Sequence, residues 1–241
     1  VAPGRALKSP VADAVDAALA ASSWQWLGTL PFDQALAHNE AAVARVLAGA
    51  HGELLAFEPQ APVYTLGLRA RTAAGQLELA PTLRTCATQG IAVRQVDRGG
   101  LGTLHLPGQI VLFLAIPCDR TGLRPLVARL LHAAADLAHE VGVPAEVDLC
   151  DQVGVWTRAG KLASLGLYEA QGIVRHGMSL QVAIDRGQAQ GLVLCGREAT
   201  RLASLDALAP GPLPTLESLA ERLCQTLRKP SLAVRTSDGE G

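Results

Sequence analysis

The sequence predicts an α/β protein of the α+β type, with a mixed, largely antiparallel sheet and flanking helices. Three observations carry this reading. Strand-length apolar runs outnumber helical periods, and the strands between residues 147 and 184 are separated by short Gly- or Asp-containing turns, as in hairpins. The few amphipathic helices do not alternate with strands as βαβ units would, so they are expected on one side of the sheet.

Residues 1–22 lack a strong period and are expected to form a loosely ordered N-terminal extension. Residues 33–50 read as a helix because Leu36, Ala37, Val43, Val46 and Leu47 share a face, with Gly52 just beyond. Residues 53–57 and 63–66 are short β-forming runs bounded by Pro and Gly, which suggests a buried hairpin or two strands of a sheet. Residues 81–89 form a short predicted helix closed by Gly90, 91–96 a strand, and 97–100 a turn leading to the strand 109–116.

Residues 124–141 repeat apolar positions at three and four (Val127, Leu130, Leu131, Ala134, Leu137, Ala138, Val141), the pattern of a helix covering a sheet. Strands are expected at 147–149, 153–157, 161–168 and 173–184, with hairpin tips at Ala159-Gly160 and Gln171-Gly172. A helix over 215–227 closes a single domain spanning 23–228, and residues 229–241 read as a flexible tail.

Composition narrows the function classes. Hydrophobic residues make up 49% and charged residues 18%, with a formal net charge of -1, which describes a compact soluble chain rather than a disordered one. Eight aromatic residues and no basic stripe give no platform for nucleic acid. The longest apolar run, 110–116, falls far short of the roughly 20 residues of a membrane helix. Five scattered cysteines without CxxC spacing suggest a reduced, cytoplasmic compartment and no structural zinc.

No GxSxG, HExxH or Walker pattern is present. Four segments remain as candidates. The glycine-rich stretch from Arg98 to Gln109 lets backbone approach a ligand closely, or simply connects strands. Lys161 is the sole lysine between Lys8 and Lys229 in a chain whose other cations are arginines. It is either a solvated hairpin charge or a group that must exchange a proton, which arginine cannot do. Arg175-His176-Gly177-Met178-Ser179 places a glycine and a histidine in a strand, for a site or for a core. Cys195, between a glycine-containing loop and Gly196, stands out from Cys86, Cys118 and Cys224, while Cys150 stays open.

These segments, in this order, resemble the lipoyl(octanoyl) transferase family, also called lipoate-protein ligase B. The matching motifs are Pro62-Val63-Tyr64-Thr65-Leu66-Gly67, Asp97-Arg98-Gly99-Gly100 with Thr103, His105 and Pro107-Gly108-Gln109, Gly154-Val155-Trp156 with Lys161 and Ser164-Leu165-Gly166, His176-Gly177, and Cys195-Gly196 with Ser204-Leu205. The resemblance implies the biotinyl/lipoyl protein ligase fold and transfer of an octanoyl group from octanoyl-acyl carrier protein to a lysine of a lipoyl domain. The acceptors would be 2-oxoacid dehydrogenase subunits or the glycine cleavage H protein, and the chain a monomer without cofactor or metal.

By the same resemblance, Cys195 is the nucleophile that carries the acyl group as a thioester, and Lys161 is its activating acid and base. Arg98, Gly99, Gly100, Leu101, Gly102, Thr103, Leu104, His105, Ser164, Leu165, Gly166, His176, Gly177, Met178 and Ser179 would line the acyl pocket, with backbone N–H groups as an oxyanion hole. The alternatives are an ATP-dependent lipoate ligase of the same fold and a noncatalytic acyl- or lipoyl-domain-binding relative. The chain departs from the family pattern at several positions: Leu104 stands for tyrosine, Leu106 for glycine, Gln181 for asparagine and Leu194 for proline, and Glu58-Pro59-Gln60-Ala61, one residue longer, replaces a Glu-His pair. Leu106 is expected to change pocket volume, and with it acyl length or acceptor choice.

Overall fold

The computed structural model describes residues 9–192 and 202–230. The elements run β1 (Ser23–Leu30), β2 (Glu53–Pro59), β3 (Val63–Leu66), β4 (Ala92–Gln95), β5 (Gly102–His105), β6 (Gln109–Pro117), β7 (Glu146–Asp148), β8 (Gly154–Thr157), β9 (Gly160–Ala170) and β10 (Ile173–Gln181). The helices are α1 (Pro10–Ala20), α2 (Phe32–Leu47), α3 (Ala73–Gln89), α4 (Leu123–Glu140) and α5 (Leu216–Arg228). Seven strands form one sheet in the order β1-β2-β6-β10-β9-β8-β7, and β4-β3-β5 form a second. Only β1–β2 and β3–β4 pair in parallel, so the mixed, largely antiparallel expectation matches.

Strand alternation sorts the large sheet into two cores. Leu54, Ala56, Leu112, Leu114 and Ile116 face α1, α4 and α5. Leu55, Phe57, Val111, Phe113 and Ala115 face Phe32, Ala35, Ala42 and Val46 of α2. Helices therefore cover both faces, which corrects the one-sided expectation: β2 and β6 are apolar at nearly every position, as strands buried on both sides must be. A third cluster, with Tyr64, Leu79, Cys86, Leu101, Leu104 and Leu106, holds the small sheet against α3.

Four expectations about elements change. Residues 10–20 are not loose: the Ser9 hydroxyl accepts the Val11 N–H, Pro10 sits in the first turn, and Val15 and Leu19 are buried. Residues 1–8 and 231–241, the remainder of the expected loose ends apart from 21–22 and 229–230, lie outside the described residues. Helix α3 begins at Ala73, not at Pro81, because the Thr72 hydroxyl caps Gly75 N–H and the helix tolerates one interior proline. Strands β2 and β3 belong to different sheets rather than to one hairpin, and β1 and β5 had no counterpart in the periodicity.

Candidate functional site

The site lies where the small sheet and the segment 96–102 cover the outer half of β9 and β10. In that ladder Ser164 pairs with Ser179 and Gly166 with Gly177. Pairing between β8 and β9 ends at Ala163, and beyond it the Gly99 N–H donates to the Leu167 carbonyl at 2.9 Å. Arg98 locks this cover. Its Nη2 donates to the Thr65 carbonyl at 2.7 Å and to Thr65 Oγ1 at 2.9 Å, and Nη1 donates to the Gly99 carbonyl at 2.8 Å. A buried guanidinium with donors on Thr65 and Gly99 is a clamp, and its stem lies against β9: a Cβ on Gly166 would meet Arg98 Cδ at 2.8 Å.

Two cavities share Arg98, Thr103, Ser164 and Leu165 as a common wall. The inner one is lined by Phe32, Val111 and Phe113 together with His105, Gly166, His176, Gly177, Met178 and Ser179. The outer one is more polar than the inner and is lined by Arg69, Gly100, Leu101, Gly102, Asp151, Trp156 and Lys161 among others. An apolar chamber beside a more polar vestibule suits a ligand with a hydrocarbon tail and a reactive polar head.

Lys161 decides between the two readings of its lysine. It is 4% exposed, its Nζ donates to the Val153 carbonyl at 2.9 Å, and it sits 5.2 Å from the centre of the Trp156 ring. It is no solvated hairpin charge. The Trp156 Nε1–H is in turn spent on the Gln152 carbonyl at 2.7 Å, which fixes the ring against the ammonium. Beside them the Asp148 carboxylate is held below its ordinary range, chiefly by the N–H groups of Cys150 and Gln152, with smaller help from the Asp151 N–H and the Lys161 charge.

The two imidazoles of the inner chamber differ in support. His105 is pushed down to about 3, first by burial and then by the Arg98 charge, against a bond to Gln109. It stacks on Phe32 at 5.1 Å and is a neutral wall. His176 is also lowered by burial, opposed by its bond to Asp97, which simultaneously takes Arg175.

Most residues singled out from the sequence converge here, but not all. Gly99 and Leu104 line neither cavity: the first pins the cover to β9, and the second is buried in the third core. Leu106 is also fully buried in that core and lines neither cavity, so the expected effect on pocket volume is not seen. Cys195 and Leu194 lie outside the described residues. The chain re-enters the described structure at Leu202, which bridges to Lys161, and the Ala203 N–H donates to the Lys161 carbonyl at 3.0 Å. Phe32, Val111, Phe113, Arg69 and Trp156 are lining residues that the motifs did not single out for the pocket; alternate positions of β6 were the available signal for two of them.

Among the described thiols, burial pushes Cys118 up to about 11 and Cys224 up to about 12, and also raises Cys86, so none of the three supplies thiolate near neutrality. Cys150 is exposed. Among the described residues no group of three or more His, Cys, Asp or Glu could hold a metal, and no helix is long and apolar enough to cross a membrane.

The profile of the lipoyl protein ligase A/B catalytic domain matches residues 31–228. The chain belongs to this family. As a member of the lipoyl protein ligase A/B family it is an enzyme, and its cavities are those of a catalytic domain. It is 35% identical over 194 residues to an octanoyltransferase of Geobacter metallireducens, covering 78% of this chain and 84% of that one. With an octanoyltransferase of Magnetococcus marinus it shares 31% over 200 residues, covering 82% and 88%. Its fold is that of lipoate-protein ligase A bound with ATP, with a TM-score of 0.66 at 15% identity and coverage of 85% and 83%. A bi-partite lipoate protein ligase from Thermoplasma acidophilum gives 0.64 at 13%, covering 85% and 81%. This confirms the biotinyl/lipoyl ligase type of fold expected from the motifs.

Proposed function

We propose that the chain moves an octanoyl group from octanoyl-acyl carrier protein to a lysine of a lipoyl domain, through a thioester on Cys195, with residues 23–228 acting as one catalytic domain. The observation that carries this reading is the buried Lys161 ammonium in the wall of a vestibule that adjoins a more apolar chamber. The pantetheine arm fits the vestibule and the acyl tail the chamber. The names of the relatives at 35% and 31% identity support the same acyl group.

In the first half-reaction the Cys195 thiolate attacks the thioester carbonyl, the bond to the pantetheine sulfur breaks, and the Lys161 ammonium gives that sulfur its proton. In the second, the acceptor lysine amine attacks the Cys195 thioester, an amide forms, and the proton it sheds returns to Lys161 as the thiolate leaves. Arginine could balance the charge but not carry the proton. Leu202, seven residues along the chain from Cys195, lies beside Lys161, which favours their pairing.

Intact-mass measurement after mixing with octanoyl-acyl carrier protein tests the reading. A covalent octanoyl adduct is expected on the native chain and on Cys150→Ser, and not on Cys195→Ala. No adduct on the native chain would overturn it. Acylation that instead required octanoate with ATP and survived Cys195→Ala would establish the ligase alternative.

A further inference from the structure

Strand β10 departs from its own alternation at one residue. The cross-strand neighbours of His176 are Leu114 and Leu167, and both pack in the core beneath α4. A regular strand would send the His176 side chain to that same face. Instead its backbone is left-handed, with φ of 61°, and the imidazole turns to the opposite face, where it lines the inner chamber edge-on to Phe113 at 6.1 Å. Such a conformation costs a non-glycine residue about 1–3 kcal/mol and persists only where its surroundings impose it.

Two groups impose it. From α2, Asn39 Oδ1 accepts the His176 N–H at 3.3 Å while Asn39 Nδ2 donates to the Leu114 carbonyl at 2.7 Å, patching the ladder that the twisted residue interrupts. From the cover, Asp97 takes His176 Nε2 and, with its other oxygen, Arg175, whose guanidinium lies over Tyr168. The ring is 3% exposed and cannot swing away.

Its depth is set by the ladder. Ser164, paired with Ser179, stands at the wall shared with the vestibule, and Leu167, paired with His176, is three residues further along β9. Three residues advance about 10 Å. An extended chain gains about 1.2 Å per single bond by backbone dimensions, so the seven C–C bonds of an octanoyl group span about 8 Å. An eight-carbon chain with its carbonyl level with Ser164 and its tail along β9 therefore ends just short of the imidazole.

We propose that His176 is the chain-length stop of the acyl cavity, an inference that rests on the acyl-transfer reading above. Octanoyl fits in front of the ring; a dodecanoyl chain meets it. The test compares octanoyl-, decanoyl- and dodecanoyl-acyl carrier protein as donors for the native chain, His176→Gly and His176→Asn, alongside calorimetric binding of octanoate and dodecanoate. Glycine accepts the left-handed backbone freely and asparagine better than most residues, so one or the other keeps the fold.

The ratio of dodecanoyl to octanoyl kcat/KM is expected to rise at least about tenfold in His176→Gly and less in His176→Asn. Dodecanoate binding should appear in the variants only. An unchanged ratio, or native binding of dodecanoate as tight as that of octanoate, overturns the stop. A native chain that transfers no acyl group yet binds octanoate and rejects dodecanoate keeps the stop and removes the transferase reading.

Discussion

Lys161 Nζ donates to the Val153 carbonyl at 2.9 Å, so this lysine is held by backbone and offered to the vestibule rather than to bulk water. Its stem has little room. A Cβ added to Gly154 would lie 2.4 Å from Lys161 Cε and 2.7 Å from the Ala163 carbonyl. Lys161→Met should keep the fold, losing about 1 kcal/mol for the undonated carbonyl, and cut octanoyl transfer about 100-fold or more. Lys161→Arg adds length to a filled space and should cost stability as well as rate. Steady-state transfer and denaturant midpoints separate the two effects, and near-native transfer by either variant would remove the proton-carrier role.

Gly154→Ala tests the same geometry without touching a charge. The methyl displaces the flexible end of Lys161, presses on the Ala163 carbonyl and strains a backbone of φ 157°, so stability should drop and transfer per folded molecule should fall at least about tenfold, as expected when a reacting group is misplaced. An alanine variant with native kinetics would show that the position of Lys161 is not critical.

Leu106→Gly restores the residue usual in the resembled family. Because Leu106 is fully buried with Tyr64, Leu79 and Ile91, the substitution should open a cavity in the third core and cost about 2–5 kcal/mol. Chain-length preference should not change. A shift in preference without destabilisation, read by donor competition and thermal melting, would place the leucine at the pocket after all.

Acid should weaken the fold before its carboxylates titrate. His105 binds its proton near 6.5 when unfolded but only near 3 when folded, so between these values the unfolded state holds more protons and stability falls as pH falls. The neutral-histidine contribution is complete above pH 6.5, and its slope approaches about 1.4 kcal/mol per pH unit near pH 5. The lowered His176 acts in the same direction. Asp119 and Asp148, also lowered, lose their contribution only below the ordinary aspartate value of 3.8. Denaturant unfolding at pH 7 and 5 should show the loss, and His105→Gln should flatten it.

Arg129 offers a control remote from the chemistry. Its Nε pairs with Asp16 of α1 at 2.8 Å, and Nη2 donates to the Leu227 carbonyl at the end of α5 at 2.9 Å. Arg129→Met removes the ion pair to a buried carboxylate and the donor to a helix-end carbonyl, at about 3 kcal/mol, or a melting temperature about 6–12 °C lower. Transfer per folded molecule should be unchanged.

The local signals were strong where one side of an element decides its form. The amphipathic period of α4, the hairpins of β8 to β10 and the glycine stops at Gly90 and Gly172 were readable because they depend on neighbours in sequence. The motif order around Lys161, His105 and Gly177 likewise named most of the residues that line the cavities. Strand β1 and short β5 were not readable, since each is a strand chiefly because a partner strand offers it hydrogen bonds.

By itself the sequence determined the class of fold, the family and the identity of the lysine and cysteine on which the proposed transfer depends. Tertiary structure decided which way Lys161 and the residues around it face. It buried Lys161 instead of leaving it on a hairpin, turned Leu104 and Leu106 away from the ligand space, spent Arg98 on the cover, and swung His176 against the alternation of its own strand. Each of these depends on contacts between segments far apart in the chain, which local periodicity does not encode.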